Sequence, residues 1–297
     1  MSRFAQRLQR VSITKGALLA AWPDATNTGV PQGTVMLRIP QDVTTGTGWN
    51  WDPRGWVTIS GNGCVFSGFS VNANVDVTAS NVLIQNCRII GSGSGNFGIS
   101  LRTVDSVTVQ DCTISGQNPA GGVDLNNLQF AIKDINGNCT NTIIRRCNMF
   151  DNANSIHFTQ SVLIQDNYIH NTGYDPATDH VDCMITNGGG SNITIRHNTI
   201  LNEYNQTAAI ALYSDFGSPK NVTVDNNLLG GGGYSLYAGG GGTTGQNIHI
   251  TNNHFTARFY PNGGNFGPYT SWQPADPGNV WSGNVWEDGP KVGQSVV

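Results

Sequence analysis

The sequence predicts an all-β fold, a single-stranded right-handed parallel β-helix in which short strands stack coil upon coil. One apolar phrase recurs along most of the chain, beginning with Asn81-Val-Leu-Ile-Gln-Asn-Cys-Arg-Ile89, and such self-similarity is typical of solenoids. Glycine is abundant at 38 residues, whereas charged residues make up only 11% of the chain. This composition favours short strands joined by tight turns over helices.

The spacing within the phrase predicts where each coil bends. We align the copies on their seventh residue, the anchor. Positions five and three residues before the anchor and two residues after it are apolar in all copies, except at Thr142 and Asn279. Steps of two keep side chains on one face of a strand, but the odd step between position −3 and the anchor changes the face unless the chain bends. We therefore expect a bend there, with all four side chains inside. The anchors are Cys87, Cys112, Cys147, Asn167, Asn198, Asn227, Asn253 and Asn284.

The anchor column predicts a polar ladder inside the solenoid. Stacked asparagine amides donate to and accept from the coils on either side, so their polar groups stay paired when buried. Cysteine takes the place of asparagine in the first three copies and acts there as a small buried apolar residue. The six cysteines are expected to be inert core thiols rather than disulfides. Their spacing matches no zinc site.

The chain is expected to be one domain with three parts. Residues 1–50 form an N-terminal cap and lead-in, 51–257 form the coils, and 258–297 form a C-terminal cap rich in Trp, Gly and Pro. Trp272, Trp281 and Trp286 are expected to plug the last coil, with a sugar platform as the alternative. A short amphipathic N-terminal helix is expected from the apolar spacing of Phe4, Leu8 and Val11. It either caps the solenoid or docks onto a partner.

A second alternating strand follows each repeat and predicts a polar stripe on the solenoid surface. Adjacent coils lie about 4.8 Å apart, so six levels span roughly 25 Å, the length of several sugar units. Aromatic rings stack on sugar faces, and charged groups bind hydroxyls or carboxylates. The alternative is a merely solvated face, since outward positions of any solenoid are polar. The expected binding residues are Arg102, Lys133, His157, Tyr213 and Tyr237.

The same stripe holds the candidate catalytic pair, His180 and Asp182, two residues apart and expected on one face. A carboxylate that orients an imidazole prepares a general base. A hydrolase instead needs two carboxylates roughly 5–10 Å apart, and Asp182 could pair with Asp134, Glu203 or Asp215. A solvated Asp-His turn without catalysis is the plain alternative.

No cofactor and no metal site are expected, although Ca²⁺ held by Asp175, Asp179 and Asp182 stays a minor alternative. The net charge of −4 and the absence of Lys/Arg runs give no basis for nucleic-acid binding. No apolar run reaches the roughly 20 residues of a membrane span, and no clear secretory signal is seen.

Two flanking segments carry a resemblance to a known family. Residues 22–34, which begin Trp22-Pro-Asp, and residues 277–289, which end Trp286-Glu-Asp-Gly289, resemble the flanks of pectate-lyase-like β-helix proteins of actinobacteria and their phages, of the minor tail protein type. His180-Val-Asp-Cys-Met-Ile185 is similar to the His-x-Asp-Gly-Ile segment of these solenoids, with Cys183 in the place of Gly. The catalytic signatures of polygalacturonase-type hydrolases are absent, and the calcium ligands of pectate lyases cannot be mapped.

Three functions follow from this resemblance and from the stripe. The first is a phage-tail protein, located in the virion or outside the cell, that binds a cell-surface polysaccharide of the host. Its partners would be other tail proteins, through the N-terminal segment, and two further copies in a homotrimer. The second is a polysaccharide lyase or glycoside hydrolase acting from the stripe. The third is a structural spacer that binds no ligand.

Overall fold

A computed structural model describes residues 21–91, 97–125, 127–240 and 246–297 of the chain. The predicted N-terminal helix with Phe4, Leu8 and Val11 lies outside these residues. Within them, almost all regular structure is short β-strand, and one 3₁₀ turn, Gly289–Lys291, follows the last strand. The fold is therefore all-β, as predicted.

The strands are, in chain order, β1 (Leu37–Ile39), β2 (Thr45–Gly46), β3 (Trp49–Asp52), β4 (Trp56–Ile59), β5 (Val65–Ser67), β6 (Phe69–Val71), β7 (Val75–Val77), β8 (Leu83–Gln85), β9 (Arg88–Ile90), β10 (Phe97–Leu101), β11 (Thr108–Gln110), β12 (Thr113–Ser115), β13 (Gly122–Val123), β14 (Leu128–Asp134), β15 (Thr142–Arg145), β16 (Asn148–Phe150), β17 (Asn152–His157), β18 (Val162–Gln165), β19 (Tyr168–Ile169), β20 (Gly173–Tyr174), β21 (Asp182–Thr186), β22 (Ser191–Arg196), β23 (Thr199–Asn202), β24 (Ala208–Leu212), β25 (Lys220–Asp225), β26 (Leu228–Gly231), β27 (Tyr234–Ala238), β28 (Gln246–Thr251), β29 (His254–Phe255), β30 (Gly267–Thr270), β31 (Val280–Ser282) and β32 (Val285–Trp286).

All strands except β13 and β20, which pair with each other, form three long sheets that the chain visits in turn on each coil. The first sheet has the order β2-β3-β4-β7-β10-β14-β17-β21-β24-β27-β30, and the second runs from β5 through β8, β11, β15, β18, β22, β25 and β28 to β31. The third has the order β1-β6-β9-β12-β16-β19-β23-β26-β29-β32. Pairing between strands is parallel, except in the antiparallel hairpins β2–β3–β4, and one isolated antiparallel bridge joins Val285 to Ser295. The chain is thus the parallel β-helix that its repeat predicts.

The predicted bend lies between the second and third sheets, one residue before each anchor. That residue has a left-handed backbone in every copy, for example Asn86 with φ 53° and Asp166 with φ 57°. Asn and Asp tolerate this conformation best, and they occupy this position in most copies. The residue six positions before the anchor is also left-handed, as in Asn192 with φ 60°. Each repeat phrase thus contains one strand of the second sheet, with a left-handed residue before it and another after it, and then enters the third sheet.

The anchor asparagines form the predicted ladder at the solenoid's inner corner. The Asn198 side chain is 0% exposed. Its Oδ1 accepts hydrogen bonds from the backbone N and the Nδ2 of Asn167, both at 2.9 Å. Its own Nδ2 donates to Ile164 O at 3.1 Å and to Asn227 Oδ1 at 2.9 Å. The same exchange continues to Asn284, so the prediction of a paired amide column is confirmed. All six cysteines are buried and free, as predicted.

The two ends of the solenoid are closed by aromatic residues. Trp49 of the N-terminal hairpins packs edge-on to Phe66 at 5.3 Å. At the other end the Trp281 ring lies over Phe255 at 6.4 Å, and its Nε1 donates to Val296 O at 2.7 Å. Parallel pairing extends from Leu37 to Trp286, beyond the expected coil limits of 51 and 257.

The segment that precedes β1 runs back along the outside of the solenoid. Trp22 lies against the last coils, where its ring stacks on His197 at 5.7 Å and its Nε1 donates to Glu287 Oε1 at 3.2 Å. Further on, Gly29 N donates to Arg146 O at 2.9 Å. This segment therefore links early and late coils across the corner between the second and third sheets.

We expect Asn198→Ala to lower the free energy of unfolding by about 3 kcal/mol, because two buried donors of Asn167 lose their acceptor. Urea denaturation followed by circular dichroism measures the change. Asn265→Ala is the matched control, since Asn265 is exposed and should stay within about 0.5 kcal/mol of the wild type. Equal stability of the two variants would show that the ladder does not hold the coils.

Candidate functional site

The first sheet has a bend of its own, and this bend shapes the outer surface. In β14 the consecutive residues Ala131 and Ile132 are both buried, which simple alternation does not allow. The residues on either side, Phe130 and Lys133, consequently face outward together. The Lys133 ammonium lies 4.0 Å from the centre of the Phe130 ring and 5.3 Å from that of Phe97.

Two outward rows therefore run along the first sheet, one on each side of this bend. Strand register fixes both. The row before the bend consists of Phe97, Phe130, Asn154, Asp182 and Ala208. The row after the bend consists of Ser100, Lys133, His157, Ile185, Ala211 and Tyr237. We call this surface the lateral track and define it by Phe97, Phe130, Lys133, His157, Asp182, Tyr213, Tyr234 and Tyr237.

The predicted binding residues do not form the single column that the sequence suggested. Lys133, His157 and Tyr237 share the row after the bend. Tyr213 lies two residues beyond Ala211 of that row and still reaches the track, with its ring 5.2 Å from that of Tyr237. Arg102 lies two residues beyond Ser100 and is paired with Asp76. Arg102 therefore belongs to the edge of the surface rather than to either row.

Asp182 is the buried acid at the centre of the lateral track. It is 3% exposed, and its Oδ1 accepts a hydrogen bond from Tyr213 Oη at 3.2 Å. Its backbone N donates to Asn154 Oδ1 at 3.2 Å. Burial raises the pKa of Asp182 to about 6, against the opposing effect of hydrogen bonding with the Thr207 and Tyr213 side chains. This carboxyl consequently exchanges a proton close to neutral pH.

His180 does not join Asp182 in the expected hydrogen-bonded pair. Strand β21 begins at Asp182, so His180 lies in the preceding loop, where a period of two residues does not apply. His180 is exposed, and within the described part of the chain no hydrogen bond connects it to Asp182. His180 still lowers the pKa of Asp182 electrostatically, which places it near the carboxyl.

The candidate partner carboxylates have other contacts. Asp134 Oδ1 accepts from Gly137 N at 2.9 Å and Oδ2 from Cys139 N at 3.2 Å, so Asp134 holds a turn. Glu203 Oε2 accepts from Thr172 N and Oγ1 at 3.2 and 2.8 Å. Asp215 is exposed beside Tyr213. Of these three candidates, Asp215 is therefore the one whose carboxylate lies beside the track and is not engaged in stabilising a turn.

The acidic loop before β21 is organised by its own backbone. Asp179 Oδ2 accepts from Asp175 N and from Asn127 Nδ2, both at 2.8 Å. Asp182 is directed instead to Tyr213, so the three carboxylates proposed for Ca²⁺ do not share one site. Across residues 21–91, 97–125, 127–240 and 246–297, no group of three or more His, Cys, Asp or Glu side chains is placed to hold a metal.

Comparison with known proteins now identifies the family. The model of the right-handed β-helix region matches residues 46–255, most of the chain. The chain belongs to the right-handed β-helix family. This match supports the pectate-lyase-like β-helix fold that the flanking motifs suggested. No curated protein sequence matches the chain. The described residues contain no helix long and apolar enough to cross a membrane.

The aromatic part of this β-helix surface was missed at the sequence level. Phe97, Phe130 and Tyr234 precede the bend, where strict alternation from the core residues assigns them to the interior. The spacing of three in Phe130–Lys133 and Tyr234–Tyr237 is the signal that could have revealed them, because a bend turns such pairs to one side. The rings of Tyr234 and Tyr237 lie 5.9 Å apart.

The raised pKa of Asp182 predicts a cost in stability. A folded-state pKa of about 6, against about 3.9 in the unfolded chain, means that the native state holds the proton more tightly. The contribution of Asp182 to stability should therefore be most favourable below about pH 4 and be lost as the pH rises through about 6. Asp182→Asn should remove this loss, which amounts to about 2–3 kcal/mol above pH 7.

Urea denaturation from pH 4 to pH 8 tests this pH dependence. Asp151, which is buried and also has its pKa raised to about 6 by burial, should leave a residual slope in the Asp182→Asn variant. The exposed Asp215→Asn should follow the wild-type curve throughout. A wild-type slope that Asp182→Asn retains in full would contradict the assignment of the burial penalty to Asp182.

Proposed function

We propose that this β-helix protein binds an extended polysaccharide along the lateral track, with Asp182 at the centre of the bound chain. The observation that carries the proposal is the grouping of half-exposed aromatic rings at both ends of the track around one buried acid. Membership of the right-handed β-helix family does not by itself assign a function. The chemistry of the track is therefore the main support.

The upstream end of the track combines aromatic and cationic groups. The Phe97 and Phe130 rings lie 5.8 Å apart, and His157 meets Phe130 edge-on at 5.9 Å. Lys133 lies over both phenyl rings. Sugar rings present flat faces of C–H groups that pack on such rings, whereas the ammonium binds hydroxyls or a carboxylate.

The downstream end consists of tyrosines that can stack and hydrogen-bond at the same time. Tyr237 contacts both Tyr213 and Tyr234 at ring distances of 5.2 and 5.9 Å. Tyr234 in turn lies 5.8 Å from Phe266, which is 67% exposed. From Phe97 to Tyr237 the track crosses six levels, about 25 Å at the spacing of parallel coils. An oligosaccharide of several units spans this length.

The setting that we propose is the tail of a phage, where this β-helix acts as a minor tail protein and recognises the cell-surface polysaccharide of an actinobacterial host. The flanking residues 22–34 and 277–289 support this setting through their resemblance to such proteins. Tail partners would attach through the N-terminal segment. We propose a homotrimer as the assembly, which is one of the closed rotational symmetries that identical chains adopt.

Retention on host cell-wall polysaccharide tests the binding function. Tyr237→Ala should weaken binding about tenfold, because one stacked sugar ring contributes about 1.4 kcal/mol. Lys133→Ala should weaken binding more than Tyr237→Ala does if the polymer carries acidic groups, because the ammonium then loses a charged partner. Tyr168→Ala is the matched control, since Tyr168 stacks on His170 on the third sheet, away from the track. Equal losses in Tyr237→Ala and Tyr168→Ala would remove the track from the binding site.

Cleavage of the polymer is the second candidate function, and Asp182 is the observation that favours it. A carboxyl with a pKa of about 6 is suited to donate or accept a proton at neutral pH. Asp182→Asn should then reduce turnover at least about 100-fold. His180→Ala should retain activity but move the Asp182-dependent limb of the pH profile upward, because the electrostatic effect by which His180 lowers the pKa of Asp182 is lost.

Release of new reducing ends or of unsaturated uronates measures this activity. The Asp215→Asn variant separates two mechanisms, since a hydrolase that uses two carboxylates would lose turnover in both aspartate variants. Polymer that is retained by the wild type but never shortened would exclude cleavage and leave binding as the function.

A further inference from the structure

A recess opens beside the lateral track where the first sheet turns into the second. The turns 158–161 and 187–190 are short, whereas the turns 135–141 and 213–219 on the outer coils are longer. The longer turns project past the shorter ones and leave a notch between them. The notch is a pocket of about 360 Å³, and His157 lines it from the side of the track.

The side chains that line this recess carry no formal charge at neutral pH. They are Asn136, His157, Thr159, Gln160, Asn187 and Phe216, together with three glycines. Burial lowers the pKa of His157, and the nearby Lys133 lowers it further, so its imidazole is neutral. Its Nε2 lies 3.5 Å from Asn187 Nδ2. The recess thus offers amide, hydroxyl and imidazole groups beside one phenyl ring.

The recess is preformed by backbone contacts between its turns. Phe216 N donates to Asn187 O at 3.0 Å, and Gly189 N donates to Gly217 O at 2.7 Å. A Cβ atom at Gly189, where φ is +73°, would lie 2.7 Å from Phe216 O, so only glycine allows this approach. The turn that carries Phe216 is therefore fixed, although the Phe216 side chain is 79% exposed.

We propose that the recess binds one neutral monosaccharide ring, carried as a side branch by the polysaccharide on the lateral track. The inference rests on the proposed function. A volume of about 360 Å³ is at the small end of ligand pockets. The phenyl ring of Phe216 packs on the C–H face of the sugar, and the amides of Asn187 and Gln160 pair with its hydroxyls. Uncharged lining favours a neutral sugar over a uronate.

Titration with simple glycosides tests the recess without the polymer. The probes are the methyl glycosides of D-galactose, D-glucose, D-mannose and D-arabinofuranose, added separately up to about 50 mM because a single ring binds with a Kd on the order of 1 mM. Amide NMR shifts should appear at Gly188 and Gly189 with at least one probe. Phe216→Ala and Asn187→Ala should each weaken binding at least about fivefold.

The control is Leu125→Ala, which removes an apolar side chain of similar exposure, 72%, from a different loop, and should leave the titration unchanged. If no glycoside shifts these amides, or if Phe216→Ala binds as the wild type does, the recess is not a sugar site. Polymer retention that still depends on Tyr237 would then leave the proposed function intact. Glycoside binding without polymer retention would instead overturn the proposed function and the side-branch assignment together.

Discussion

The stacking of one left-handed corner upon the next is the constraint on which the rest of the molecule depends. Each corner points its anchor inward, and Asn198 can pair with Asn167 and Asn227 only because the three coils share the same bend. An amide in that position without neighbours would be an unpaired buried polar group. The ladder therefore penalises any coil that slips in register. A slip would also move residues of the lateral track to other levels, so the ladder fixes the surface as well as the core.

The second bend, inside the first sheet, converts this regular stack into a surface with chemical variety. Because Ala131 and Ile132 both point inward, the outward positions on the two sides of the bend are three residues apart, where simple alternation would separate them by two. Phe130 and Lys133 meet across the bend, and Asp182 is sheltered in the row that precedes it. Small residues at the first inward position, such as Ala131 and Ser155, leave room for the turn. The regular repeat sets the distance between coils, and the local bend determines which side chains meet on the lateral track.

The sequence predicted the core of this structure far better than its surface. The anchor column was visible because its residues repeat at every coil and because steps of two and three have fixed geometric meanings. The partner of Asp182 was not visible, since Tyr213 lies on the next coil and reaches it only through the bend. His180 was assigned to Asp182 by a period that holds in strands but not in the loop where His180 lies. A repeat in the sequence thus predicts the path of the backbone. Side-chain contacts that occur on one coil only depend on loop lengths, and these follow no repeat.

Asp182 is where the fold and its surface are in conflict. A buried residue at this level would be most stable if it were uncharged, and the neighbouring levels carry Asn154 and Ala208 in the same row. An aspartate there is destabilising in its charged form, because burial opposes ionisation. Hydrogen bonding with the Thr207 and Tyr213 side chains offsets only part of this effect. A residue that breaks the local rule without a structural gain is characteristic of functional sites. This cost adds to the grouping of aromatic rings on both sides of Asp182, on which the proposed binding function rests.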